Sequence, residues 1–313
     1  MLLLNNDLRE GHCRMSIIEK TFRSNEVIIK EGDTGDTFFR LIEGNVGVYT
    51  NYGKKEQFRV AFLKAGDYFG EMGMIDGSPR SATIIAERTV RVQELSQKDL
   101  NTLFEENPDE IYNFLKHLAN KLQSMNNDYA EAQELLKAAR EADAAKKKSI
   151  LALFKKRTNQ YQPGQTGLEE PTPESYKKEF EKITAEGPAT IKEFEKGQVI
   201  YYEDEPGNCM FIVRDGKVGM YSGYGDNDQT KLAEMTGVSF IGLMGLFQNE
   251  PRNATAVAET DGTCIEAIYK EDLEGIFRVC PIKINMILRH MSFNLRKMTI
   301  EFVNMCKEIT ELS

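Results

Sequence analysis

The chain repeats itself at one fixed spacing. The stretch from Phe69 to Thr83 holds Gly70-Glu71-Met72-Gly73 and Pro79-Arg80-Ser81-Ala82-Thr83. It returns as Gly242-Leu243-Met244-Gly245 and Pro251-Arg252-Asn253-Ala254-Thr255, with Gly70 to Gly242 and Arg80 to Arg252 each 172 residues apart. Gly35, Phe39, Gly44, Val46, Gly47, Tyr49, Tyr52 and Gly53 recur at the same spacing as Gly207, Phe211, Gly216, Val218, Gly219, Tyr221, Tyr224 and Gly225. Chance does not hold one register over so many positions, so whatever this chain folds into is built twice. One member of the set changes between copies: Leu243 stands where Glu71 stood.

Each copy reads first as short strands. Apolar and polar residues alternate over Val27–Ile29, Thr37–Ile42, Val46–Tyr49, Phe58–Leu63, Ala82–Ala86 and Val90–Leu95, the period-two pattern of strands buried on one face. Turn-forming residues separate them at Glu31-Gly32-Asp33, Glu43-Gly44-Asn45, Asn51-Tyr52-Gly53 and Ala65-Gly66-Asp67. Many short, evenly spaced strands predict an antiparallel sandwich or barrel.

Each copy then reads as a helix. Asn107-Pro108 suits a helix start, and Ile111, Leu115, Leu118, Leu122, Met125, Tyr129, Ala132, Leu136 and Ala139 follow in steps of three and four. With one residue inserted, the second copy repeats them as Ile284, Leu288, Met291, Leu295, Met298, Phe302, Met305, Ile309 and Leu312. This is a heptad seam. At about 1.5 Å per residue it is too long for one small barrel to cover, so it predicts helix–helix association, with a homodimer through helices 111–139 and 284–312. The expected domains are 1–145, with 1–14 as leader or disordered tail, and 187–313. A linker of helix and loop, 146–186, joins them. Within it, Lys146 to Arg157 is basic and amphipathic, read as a solvated helix leaning on a neighbouring domain rather than lying on a membrane.

Composition excludes several classes. A net charge of -9 argues against broad, non-specific DNA binding. Five scattered cysteines show no CxxC or other metal-ligand spacing, which fits free thiols in a reducing compartment. No apolar run approaches the roughly 18 residues of a membrane span, and Met1 to Leu4 is too short for the core of a signal peptide. A cytoplasmic protein is expected. No GxxxxGK[ST], HExxH, kinase or GxSxG motif occurs, and no catalytic residue, metal ligand or cofactor is assigned.

The chemistry of the repeated stretch suits a small phosphorylated ribose. A short helix opening at Gly70 presents free backbone N–H groups, and glycine permits close approach. Arg80 offers a two-pronged donor for phosphate oxygens. Glu71, itself an anion, is unsuited to phosphate but can accept a hydrogen bond from a ribose hydroxyl and help orient Arg80. Ser81 adds a donor, and Pro79 stops the short helix.

The segments Phe69-Gly70-Glu71 and Pro79-Arg80-Ser81-Ala82-Thr83, with Lys30-Glu31-Gly32-Asp33-Thr34-Gly35-Asp36 upstream, resemble the phosphate-binding cassette of cyclic nucleotide-binding domains. Such domains occur in the catabolite activator protein, protein kinase regulatory subunits and nucleotide-gated channels. The likeness spans about residues 20–140 and again 190–313. It implies two tandem jelly-roll barrels, mainly β with α, each followed by a long helix. Gly70, Glu71, Met72, Arg80 and Ser81 would then hold the sugar-phosphate, and Val48, Val60 and Ala61 would line the base pocket. Helix residues Leu122 to Asn127 would cap the base. The implied ligand is cAMP, with cGMP as the alternative.

In the second copy Gly242, Arg252 and Asn253 remain as a candidate set. Leu243 removes the ribose acceptor, and an unpaired hydroxyl in a closed pocket costs roughly 1–3 kcal/mol. Weak nucleotide binding, another phosphorylated ligand, or a barrel kept for dimerisation all fit; an impaired or empty site is favoured. The expected function is a sensor whose ligand in the first domain repositions the trailing helix, acting on an unidentified protein effector. The alternative is a regulatory subunit inhibiting an enzyme such as a kinase; only about 25 residues precede the first strand read here, little space for an inhibitory segment. A nucleotide-metabolising enzyme has little support. A DNA-binding regulator is not expected, since no helix-turn-helix follows the last helix pattern.

Overall fold

The computed structural model describes residues 18–54, 57–141, 173–183, 187–248 and 250–311. The suggested leader, the basic stretch from Lys146 to Arg157 and most of the linker lie outside the described residues.

The first copy contains β1 (Ile18–Phe22), β2 (Val27–Ile29), β3 (Thr37–Glu43), β4 (Asn45–Thr50), β5 (Phe58–Lys64), β6 (Tyr68–Phe69), the short helix α1 (Glu71–Asp76), β7 (Thr83–Ala86) and β8 (Val90–Ser96). They form two four-stranded sheets, ordered β1-β8-β3-β6 and β2-β7-β4-β5, with antiparallel pairing throughout. This is the jelly-roll arrangement. Alternate residues of both sheets point inward: Ile29, Phe39, Leu41, Val46, Phe69, Ile84 and Val92 form the barrel core. The strands read from alternation are all present. β1 escaped notice because its residues are mostly exposed, which removes the alternation, and β6 is only two residues long.

The helices α2 (Gln97–Glu106) and α3 (Asp109–Glu141) follow. Ser96 caps α2 through a reciprocal bond with Asp99. After α4 (Pro173–Phe180), the second copy repeats the plan: β9 (Thr190–Phe194), β10 (Val199–Tyr201), β11 (Cys209–Asp215), β12 (Lys217–Ser222), β13 (Thr230–Thr236), β14 (Ser239–Ile241), α5 (Leu243–Gln248), β15 (Thr255–Ala258), β16 (Thr263–Tyr269), α6 (Asp272–Val279) and α7 (Pro281–Glu311). Its sheets are β14-β11-β16-β9 and β10-β15-β12-β13, the same neighbours in the same order. Small devices recur too: the Tyr49 hydroxyl donates to Glu87, and the Tyr221 hydroxyl to Glu259.

The heptad seam is real. Leu115, Leu118, Leu122, Met125, Ala132 and Leu136 of α3 share one core with Ile284, Leu288, Met291, Leu295 and Phe302 of α7. The partner is the correction. α3 and α7 bury these faces against each other within one chain, so the apolar stripes on which the expected homodimer relied are already covered. Both cassette helices join the same core crosswise. α1 of the first domain packs on α7 of the second, and α5 of the second packs on α3 of the first.

Candidate functional site

The first site is built where α1 leaves β6. Gly70 sits in the left-handed region, with φ of 78°, and a Cβ there would lie 2.7 Å from Ile29 Cδ1 and 3.0 Å from Arg80 Nη1. Only glycine meets both conditions without strain. This turn places Glu71 at the first helical position, 1% exposed. Arg80 approaches from the other side. Its backbone is held to the preceding turn by Gly32 N–H donating to the Arg80 carbonyl (2.9 Å) and Arg80 N–H donating to the Asp33 carbonyl (2.9 Å). Its guanidinium donates to the carbonyls of Gly70 and, at 2.6 Å, Thr37.

Glu71 is not bonded to Arg80, as its suggested orienting role would require. Its partner is Lys121 of α3, whose Nζ lies 2.6 Å from Glu71 Oε1. Burial would raise the Glu71 carboxyl, but Lys121 and His117 outweigh burial and hold it below the ordinary carboxylate range. Burial pushes the His117 imidazole down to about 4, so it is neutral at neutral pH and Lys121 is the cation that acts there. Burial also lowers Arg80, opposed by the charges of Glu71 and Asp36 and reinforced by Arg296.

Glu71, Arg80 and Lys121 share a cavity of about 130 Å³. Gly70, Glu71, Met72, Arg80 and Ser81 line it, with Val48 and Ala61 from the sheet. Val60 belongs to β5, and its side chain lies outside the described set. From α3 the cavity receives Lys121. Of the stretch suggested by sequence to cap the base, Leu122 to Asn127, no residue lines this cavity. Leu122 and Met125 are committed to the helix seam, and Gln123 bonds Glu250. Lys121 directly precedes a seam leucine, a position that flanks the α7 contact, and nothing in its sequence neighbourhood points to Glu71.

The cyclic nucleotide-binding domain family matches residues 19–107 and 191–279. The chain belongs to this family. Both matches end before the long helices α3 and α7 begin. Over 280 residues the chain is 22% identical to the cAMP-dependent protein kinase regulatory subunit of Dictyostelium discoideum, covering 88% of this chain and 69% of that one. It is 26% identical over 145 residues to the cAMP-activated global transcriptional regulator CRP of Salmonella typhimurium, covering 43% of this chain and 67% of that one. Among solved structures, the regulatory domain of Toxoplasma gondii PKA with cAMP aligns over 88% of this chain and 84% of that one, at 16% identity and a TM-score of 0.27. The family assignment rests on the two domain matches.

The second cyclic nucleotide-binding domain keeps the frame of the site and changes its contents. Gly242 is again left-handed, with φ of 66°, and Arg252 again donates to its carbonyl (2.8 Å) and to that of Cys209 (2.9 Å), the counterpart of Thr37. Tyr201 takes the place of Ile29. Its ring lies 4.6 Å from the Arg252 guanidinium carbon, and that of Phe211 lies 5.2 Å away. The guanidinium is thus held by two carbonyls and two ring faces. Leu243 packs against the shared core, and Asn253 is exposed. The cavity beside Arg252, about 240 Å³, is lined by Tyr201, Cys209, Phe211 and Tyr269; Gly242, Leu243 and Asn253 do not line it. Of the residues assigned to a second site, Gly242 meets Arg252 through its carbonyl, but neither Gly242 nor Asn253 lines the cavity beside Arg252, whereas Gly70, Arg80 and Ser81 line one cavity in the first domain. No group of three or more His, Cys, Asp or Glu able to hold a metal occurs among the described residues, and no described helix is long and apolar enough to cross a membrane.

Proposed function

We propose that this chain is a cyclic nucleotide sensor, with cAMP the favoured ligand, and that it works by binding rather than catalysis. The observation that carries this is the convergence of Glu71 and Arg80 on one cavity beside the Gly70 turn. Arg80 and Ser81 would take the cyclic phosphate, and Glu71 the ribose hydroxyl. The two relatives described above are named for cAMP, which favours adenine over guanine.

Ligand entry requires movement. A cavity of about 130 Å³ is well below the roughly 300–1,000 Å³ of ordinary ligand pockets. Lys121 already engages Oε1 of the carboxylate that the ribose would use. The ribose hydroxyl therefore displaces Lys121 from Glu71, and because Lys121 belongs to α3, binding alters α3 and its pairing with α7. Ligand shifts the equilibrium by binding the rearranged form better. The second domain, without the acid and with its guanidinium enclosed, serves as a brace.

The alternative output is inhibition of a partner enzyme by a regulatory subunit; the Dictyostelium alignment, which runs through both domains, favours it. Calorimetric titration with cAMP and with cGMP tests the core reading. One tight site is expected, with cAMP preferred; no binding of either would reject it.

A further inference from the structure

Asp76, at the end of the first cassette helix, is gripped from the second domain. Arg296 of α7 is 3% exposed and uses both prongs on this carboxylate: Nε donates to Oδ2, and Nη2 donates to Oδ1 at 3.0 Å. Ser292, one turn earlier, donates its hydroxyl to Oδ2 at 2.8 Å. The same guanidinium reaches the Pro79 carbonyl through Nη1 at 3.4 Å. Asp76 in turn accepts from the Ser78 N–H at 2.9 Å. One arginine thus holds both ends of the loop 77–79, and Arg80 is the next residue.

The counterpart crossing lacks this ion pair. At the repeat spacing Asp76 becomes Gln248, and along the long helices Arg296 becomes Gln123 and Ser292 becomes Ala119. Gln248 donates to the Ala119 carbonyl at 3.3 Å, and Gln123 donates to Glu250 at 3.0 Å. The bidentate ion pair is therefore found on the cassette that kept its acid; on the one that lost it, a neutral amide, Gln123, donates to both oxygens of the Glu250 carboxylate in an exposed contact. Packing alone would ask the same of both crossings. Arg296, 3% exposed, and Asp76, 12% exposed, hold one geometry because the arginine would otherwise be an unpaired buried charge.

We infer that Arg296, through Asp76 and the Pro79 carbonyl, is a positioning residue for the first nucleotide site, so that this site is completed by the second domain. It sets the loop that delivers Arg80 without touching the ligand. The inference rests on the nucleotide reading above. It gives the second domain a task that needs no ligand of its own: holding its neighbour's phosphate-binding loop in the binding-ready form.

The test is calorimetry with cAMP on the full chain. Arg296→Met, which keeps much of the side-chain length, should weaken binding about tenfold or more. Asp76→Asn should do the same from the other side of the contact, and the double variant should bind no worse than the weaker single one, because both remove one interaction. Arg296→Lys, which keeps the charge but loses the fork, should recover part of the affinity. Hydrogen exchange on the ligand-free protein should show faster exchange at the Gly77, Ser78 and Arg80 amides in Arg296→Met, with the α6 and α7 amides protected, which separates loosening of the loop from unfolding of the second domain. Wild-type affinity, or tighter binding, in a folded Arg296→Met protein overturns the inference while leaving the sensor reading intact. Binding of neither cyclic nucleotide by the unaltered chain rejects the sensor reading itself.

Discussion

Lys121 Nζ lies 2.6 Å from Glu71 Oε1, so the carboxylate suited to a ribose hydroxyl is already engaged by the helix that follows the barrel. Under the proposed function, ligand and helix compete for this carboxylate, which would make binding visible outside the pocket. Lys121→Met should destabilise the ligand-free protein by about 1–3 kcal/mol, less than the roughly 3–5 kcal/mol of a fully buried pair, since the lysine side chain is 29% exposed. It should also bind cAMP several-fold more tightly, because nothing remains to be displaced. Chemical denaturation and calorimetry measure the two effects, and weaker binding would contradict the displacement.

The turn at Gly70 permits a second test. Alanine there must adopt φ of 78° with its Cβ 2.7 Å from Ile29 Cδ1. A cost of about 1–2 kcal/mol is expected from the left-handed backbone alone, and the helix start that carries Glu71 should shift. Gly70→Ala should therefore lose both stability and affinity in urea and ligand titrations. Gly53→Ala, also left-handed but with open space around its Cβ, should lose stability alone.

The second domain should resist simple repair. In an Arg80→Ala background that silences the first site, Leu243→Glu should not confer binding, since Tyr201 and Phe211 still enclose Arg252. Adding Tyr201→Ile, which restores the residue found at the first site, should produce measurable binding. Binding by Leu243→Glu alone would show that the acid was the only missing part.

Two enclosed histidines predict a pH response. Burial pushes His117 and His290 from 6.5 down to about 4. The unfolded chain therefore takes up a proton at each near 6.5, and the folded chain only near 4, so stability falls as pH drops through that window and levels off below it. The expected loss by pH 5 is on the order of 2 kcal/mol per histidine. Glu71, held low, contributes stability above the unfolded value of 4.5 and loses it as pH falls through its folded value. Urea midpoints at pH 7 and 5 should differ accordingly, and His290→Gln should remove about half of the slope. Equal stability at the two values would contradict it.

Much of this was readable from the chain because it was written twice. A register kept from Gly35 to Thr83 and again from Gly207 to Thr255 marks backbone needs that composition cannot show. The cassette was legible because Glu71, Arg80 and Gly70 are close in sequence as well as in space. Four features were not. β1 lacks alternation because it is largely exposed. Lys121 meets Glu71 across 50 residues, a pairing that depends on the angle at which α3 leaves the barrel. The partner of the seam was misread because a heptad pattern states that a face is apolar and says nothing of which helix covers it; α3 and α7 cover each other. Arg296 and Asp76 meet across 220 residues for the same reason, through the crosswise packing of cassettes and long helices.

The most direct measurement is calorimetric titration of cAMP into the unaltered chain and into Arg80→Ala. One site is expected in the unaltered protein. Its affinity should fall at least ~100-fold in the variant, the loss of about 3 kcal/mol or more expected when an enclosed anion is left without its partner. An unchanged dissociation constant in a folded Arg80→Ala protein would contradict the account.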